Sequence, residues 1–153
     1  YKLKKRSTKK PLILMASEYE QLIGFVHESA KEDFENYASK YWPGALTMVI
    51  PSSKKNIENI TSNDFTLGLR IPNSYMAQSL MKVTGPLLTS SANISGFKGS
   101  ITAEEIALDF PSVNILGPVP WEQGSGKAST VISWVKNRDW RLIRKGEILI
   151  EEF

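Results

Sequence analysis

Pro86-Leu87-Leu88-Thr89-Ser90-Ser91-Ala92-Asn93-Ile94-Ser95-Gly96 decides how this chain is read, because one short stretch passes from apolar residues to small hydroxyls, an amide and a glycine. The pattern predicts a short buried strand, Pro86 to Thr89, that opens into a polar loop. Ser, Thr and Asn supply short donors and acceptors, and Gly96 permits positive φ or a close backbone approach. Two readings fit this loop by itself. It is an ordinary turn, or it is a cradle for carboxylate, phosphate or ribose oxygens at the end of a strand.

Working outward, short apolar strands alternate with amphipathic helices. Upstream, Pro11 to Ala16 predicts a strand, and Ser17 with Glu20 predicts a capping box that opens a helix from Glu18 to His27. Lys31 to Tyr41 predicts a second helix with Phe34, Tyr37, Ala38 and Tyr41 on one face. Pro43-Gly44 stops it with Trp42 packed beneath, and Ala45 to Ile50 is the next strand. Phe65 to Ile71 is another, after which Pro72-Asn73-Ser74 caps a helix to about Val83. Downstream, Thr102 and Glu105 form a second capping box for a helix to Phe110. Val113 to Leu116, Ser129 to Val135 and Trp140 to Arg144 complete the strands. The sum is a mixed α/β (α+β) domain spanning residues 1–153, built on a single twisted mixed sheet flanked by helices. The chain starts inside a basic segment, as expected of a domain whose first strand lies outside this sequence.

Composition narrows the chemistry. A hydrophobic fraction of 41% and a charged fraction of 23% are those of a globular domain. No apolar run approaches a membrane span and no secretory signal pattern occurs, so the expectation is a cytoplasmic protein with no membrane partner. Cysteine is absent, which removes disulfides and thiol nucleophiles. The single histidine, His27, leaves no basis for a His/Cys metal centre; near a helix C-terminus its protonated form is favoured by the dipole. Lys2, Lys4, Lys5, Arg6, Lys9 and Lys10 crowd the first ten residues with no acid among them. Such a run predicts an anionic partner or forms a solvated basic tail.

Three further places carry candidate chemistry. Lys4 and Arg6, two apart in an extended backbone, project to one side and pair a point charge with a planar phosphate fork. In Thr66-Leu67-Gly68-Leu69-Arg70, strand alternation puts Thr66, Gly68 and Arg70 on one face and the leucines on the other. Arg70 there either meets a bound anion, with room left by Gly68, or belongs to a structural ion pair. Arg144-Lys145-Gly146 places a guanidinium and a tight turn at the end of the last strand. Gly124-Ser125-Gly126-Lys127 lacks the glycine spacing of a phosphate loop and reads as a flexible connection.

Taken in order, Leu3-Lys4-Lys5-Arg6, Trp42-Pro43-Gly44, Leu69-Arg70-Ile71-Pro72, Ser91-Ala92-Asn93-Ile94-Ser95-Gly96, Ser129-Thr130-Val131 and Arg144-x-Gly146 resemble the YrdC-like threonylcarbamoyl-AMP synthases, across nearly the whole chain. The resemblance implies the YrdC-like fold with a basic cavity, and a nucleotidyltransferase that joins L-threonine, bicarbonate and ATP into threonylcarbamoyl-adenylate, releasing pyrophosphate. It implies ATP contacts from Lys4, Arg6, Lys10, Thr66, Asn93 and Arg144, threonine contacts from Arg70, Ser91 and Ser129, and Mg²⁺ on the phosphates. It also implies a place in tRNA threonylcarbamoyladenosine synthesis, with tRNA or other RNA and the partner proteins of that pathway. No residue is nominated as a general base. Two departures are visible: the family's Pro-Thr-x-Thr/Ala-Val-Tyr/Phe-Gly segment is absent, and Met15 stands where some members carry His. The competing reading is a non-catalytic RNA-binding module of the same fold. Against it, Tyr1 is the only aromatic residue interleaved with the basic segment, so no stacking platform is evident there.

Overall fold

Alternation of polar and apolar residues in the strands sets the architecture. The computed structural model describes residues 1–7, 12–52, 65–122 and 124–150; Lys9, Lys10 and Pro11, on which expectations above fall, lie outside the described residues. They form two compact units, Tyr1–Lys10 with Ser90–Lys127, and Pro11–Thr89 with Ala128–Phe153.

The second unit holds one six-stranded sheet, ordered β4-β1-β3-β2-β5-β6. Its strands are β1 (Ile13–Met15), β2 (Leu46–Pro51), β3 (Thr66–Arg70), β4 (Leu87–Thr89), β5 (Thr130–Lys136) and β6 (Asp139–Arg144). The sheet is mixed: β1 with β3 and β2 with β5 run parallel, and the other pairs antiparallel. Register places Leu14 beside Leu69 and Leu88, Leu69 beside Met48, and Met48 beside Ile132. Side chains opposite one another share a face, so Leu14, Leu69, Met48 and Ile132 build a core face. Leu67, Leu46 and Ile50 join them by alternation, and all of these are buried. Helices α1 (Glu20–Ile23) and α2 (Lys31–Tyr41) cover it with Leu22, Phe34 and Ala38. The other face carries Thr66, Gly68 and Arg70 of β3, with Thr47 and Val49 of β2 and Ser133 of β5.

Trp42 closes α2 as expected, edge-on to Phe34 at 5.4 Å, with its Nε1 donating to the Leu46 carbonyl at 2.8 Å. Helix α3 (Tyr75–Thr84) is capped by Ser74, whose hydroxyl accepts from the Ala77 N–H. Buried Asp33 ties α2 to the last hairpin: one carboxylate oxygen accepts from the Trp134 indole and the Arg138 N–H, each at 2.8 Å. In the first unit, α4 (Ala103–Asp109) has the expected Thr102–Glu105 capping box.

Four local expectations are corrected. The helix expected over residues 18–27 is only Glu20–Ile23: beyond it the Phe25 and Val26 N–H groups bond three residues back, and the His27 N–H leaves for the Pro51 carbonyl at 3.0 Å. At its start Gln21 rather than Glu20 takes the orphan donors, its Oε1 accepting from the Ser17 N–H, the Ser17 hydroxyl and the Glu18 N–H at 3.0, 2.9 and 3.2 Å. His27 therefore does not sit at a helix C-terminus. It caps the start of a 3₁₀ turn, Glu28–Ala30, where Nδ1 accepts from the Ser29 N–H. Val113 to Leu116 is not a strand. Gly117-Pro118 and Pro120 follow directly, proline cannot donate to a ladder, and the apolar side chains line a cavity instead. Finally, the segment from Tyr1 to Arg6 is a turn, not extended: the Arg6 N–H reaches the Tyr1 carbonyl at 2.9 Å and Lys5 has φ 49.

Candidate functional site

Each unit gathers part of the candidate set. In the first, the turn at Tyr1–Arg6 is bonded to the polar loop, with the Ser95 N–H donating to the Lys4 carbonyl at 2.9 Å. The Lys4 ammonium donates to the Ser91 carbonyl and, at 3.1 Å, to Asn93 Oδ1. Asn93 is fully engaged. Its Oδ1 also accepts from the Ser91 hydroxyl at 2.6 Å, while its Nδ2 donates to the Ile94 and Phe97 carbonyls at 3.0 and 2.8 Å. An amide is the only neutral side chain that accepts on one end and donates twice from the other, which is why this loop needs Asn there. Gly96 supplies the positive φ, 94°, that turns the loop. Burial, reinforced by the Arg6 charge, holds the Lys4 ammonium below the usual lysine value. Beside Lys4 and Ser91 lies a cavity of about 240 Å³, walled by Leu3, Phe110, Leu116 and Trp121.

In the second unit, strand ends converge on one end of the sheet. Arg70 closes β3 and donates Nε to the Gly44 carbonyl at 2.9 Å. Ser129, just before β5, is buried and shares its hydroxyl with Thr47 Oγ1 at 2.9 Å. Arg144, ending β6, donates Nε and a terminal nitrogen to the Ser129 carbonyl at 3.1 and 2.9 Å, and the same terminal nitrogen reaches the Ser129 hydroxyl at 3.0 Å. Gly146 permits this: a Cβ there would collide with the backbone of Ala128, Ser129 and Thr130. The Glu147 N–H then pairs with the Ala128 carbonyl at 2.9 Å. Burial pushes the Arg70 guanidinium below its ordinary value; nearby Glu147 opposes that shift and Arg144 adds to it.

Arg70, Ser129 and Arg144 are thus brought together, whereas Thr66 sits at the far end of β3, about 13 Å along the strand. Lys4, Arg6, Ser91 and Asn93 meet in the other unit, and Lys10 lies outside the described residues. Sequence reasoning treated Trp42 to Thr47 as structural and missed Thr47. The available signal was a hydroxyl inside an otherwise apolar strand.

A family model described as "Telomere recombination" (Sua5/YciO/YrdC) matches residues 1–146. The chain is 37% identical over 112 residues to a Yersinia enterocolitica protein named threonylcarbamoyl-AMP synthase, covering 72% of this chain and 59% of that one. A Yersinia pestis protein of the same name is 34% identical over 117 residues, which cover 74% of this chain and 62% of that one. The chain therefore spans about three-fifths of the length of these curated relatives. Its fold superposes on the crystal structure of P. abyssi Sua5 complexed with L-threonine with a TM-score of 0.87 and 32% identity, over 99% of this chain and 44% of that one. With E. coli YciO, at 23% identity, it shares the fold with a TM-score of 0.74. The chain belongs to the Sua5/YciO/YrdC family.

Proposed function

We propose that this chain carries the threonylcarbamoyl-adenylate chemistry of its relatives: L-threonine, bicarbonate and ATP give the mixed adenylate, pyrophosphate and water. The observation that carries this reading is the cationic cluster of Arg70 and Arg144 around the buried Ser129 and Thr47 hydroxyls, in a fold that matches a threonine-bound relative. Arg70 takes the amino-acid carboxylate, a pairing that charge-assisted hydrogen bonds favour. Ser129 and Ser91 contribute to threonine, and Lys4, Arg6, Lys10, Thr66, Asn93 and Arg144 to ATP. The base of ATP enters the apolar cavity beside Lys4, whose ammonium already finds oxygen ligands.

In this scheme the α-amine attacks the carbon of bicarbonate and water departs. The resulting carbamate oxygen then attacks the α-phosphorus, and pyrophosphate leaves with the negative charge that the cationic residues stabilise. Positioning and desolvation supply the rest. Mg²⁺ arrives with ATP, since it is held mainly through substrate phosphates and waters; among the described residues no three His, Cys, Asp or Glu side chains gather to hold a metal. Among those residues, too, no helix is long and apolar enough to cross a membrane. A cytoplasmic setting, tRNA as destination of the carbamoyl group and protein partners of that pathway belong to the same proposal. Isotope exchange between pyrophosphate and ATP tests it: exchange that requires both threonine and bicarbonate supports the synthase, and salt-sensitive tRNA binding without exchange supports an RNA-binding module instead.

A further inference from the structure

Two polar side chains that line the cavity of the first unit, Ser90 and Asn114, are used by nothing described so far, and only the Asn114 amide both donates and accepts at separate atoms. At about 240 Å³ the cavity is smaller than the roughly 300–1,000 Å³ that takes a drug-sized molecule. It suits one flat heteroaromatic group and not a whole nucleoside triphosphate. Trp121 forms a fixed wall, its indole Nε1 donating to the Leu116 carbonyl at 2.8 Å. Lys4, Ser90 and Ser91 contribute polar groups to its lining. Asn114 also lines the cavity, and its amide has no hydrogen-bond partner among the described residues. Asn93 of the polar loop, by contrast, has its amide oxygen and nitrogen engaged within the first unit. An exposed amide at the rim of an apolar slot, beside a cation, presents one acceptor and a paired donor to whatever ring fills that slot.

We infer that Asn114 is the base-reading residue of this chain and selects adenine over guanine. This rests on the nucleotide reading given above. Adenine shows an amino donor at N6 next to an acceptor at N7, which an Asn amide meets in bidentate fashion; guanine shows two acceptors, O6 and N7, at the same edge. Against guanine, the Asn114 carbonyl oxygen faces another oxygen and one contact is lost.

The test is equilibrium binding of ATP, GTP and tripolyphosphate to the 153-residue chain and to its Asn114→Leu and Asn114→Asp variants, with melting temperatures as the folding control. Expected is an ATP preference over GTP of about tenfold or more, falling to near parity in Asn114→Leu while tripolyphosphate affinity stays unchanged. Asn114→Asp, which keeps an acceptor but has no N–H for N7, also weakens ATP. Equal ATP and GTP affinity in the parent overturns the inference and leaves nucleotide binding intact. A preference that survives Asn114→Leu overturns it as well. A parent chain that binds neither nucleotide overturns the nucleotide reading itself.

Discussion

Arg144 closes around Ser129, meeting its carbonyl at 3.1 and 2.9 Å and its hydroxyl at 3.0 Å with a single guanidinium. That fork fixes the start of β5 relative to the end of β6, and it aims the hydroxyl that Thr47 shares. Lysine keeps the charge but is a point donor without the planar geometry. Arg144→Lys is therefore expected to cost about 1.5–3 kcal/mol in ligand affinity and about 1 kcal/mol in stability, as the fork to Ser129 is reduced to a single donor. Calorimetric titration with ATP and with L-threonine checks this.

Arg70→Ala separates binding from folding. In the free protein the side chain donates one hydrogen bond, to the Gly44 carbonyl, so its loss costs stability of about 1 kcal/mol. If Arg70 pairs with the substrate carboxylate, threonine affinity drops by about 1.5–3 kcal/mol. A variant that melts far below the parent yet binds threonine normally contradicts that role.

Asn93→Asp is nearly isosteric but puts an acceptor where two carbonyls, those of Ile94 and Phe97, now receive N–H groups. It also sets a full negative charge against Lys4, whose ammonium is then held away from phosphate. ATP affinity is expected to fall further in Asn93→Asp than in Asn93→Ala. Titration of both variants with ATP decides it, and equal affinities contradict the charge argument.

Asp33 secures the hairpin that presents Ser129 and Arg144. Its buried oxygen accepts both the Trp134 indole and the Arg138 N–H. Asp33→Ala leaves two donors without a partner and is expected to destabilise the fold by about 2–4 kcal/mol. Asp33→Asn, which keeps one carbonyl oxygen, costs less. Urea unfolding followed by tryptophan fluorescence measures both.

Period-two alternation makes β3 legible in the sequence: Leu67 and Leu69 are buried in the core, and Thr66 and Arg70 lie on the other face. The α2 helix and the capped starts of α3 and α4 were legible too, because their signals are local. The helix over residues 18–27 was overextended because Val26 bridges to Ser52 and the His27 N–H goes to the Pro51 carbonyl, partners distant in sequence that spacing does not reveal. Val113 to Leu116 has strand composition, but its fate depended on whether a partner strand exists. The same limit hid Thr47. Its hydroxyl gains meaning only from Ser129, which is distant in sequence and brought near by the parallel β2–β5 pairing.

The proposed activity joins three substrates into one adenylate. Incubation with ATP, L-threonine and ¹³C-bicarbonate, followed by mass spectrometry of the quenched mixture, tests it most directly. Threonylcarbamoyl-adenylate carrying the label, formed only when threonine is present and matched by released pyrophosphate, is the predicted result. Nucleotide bound by a chain that yields no labelled adenylate under those conditions contradicts the account.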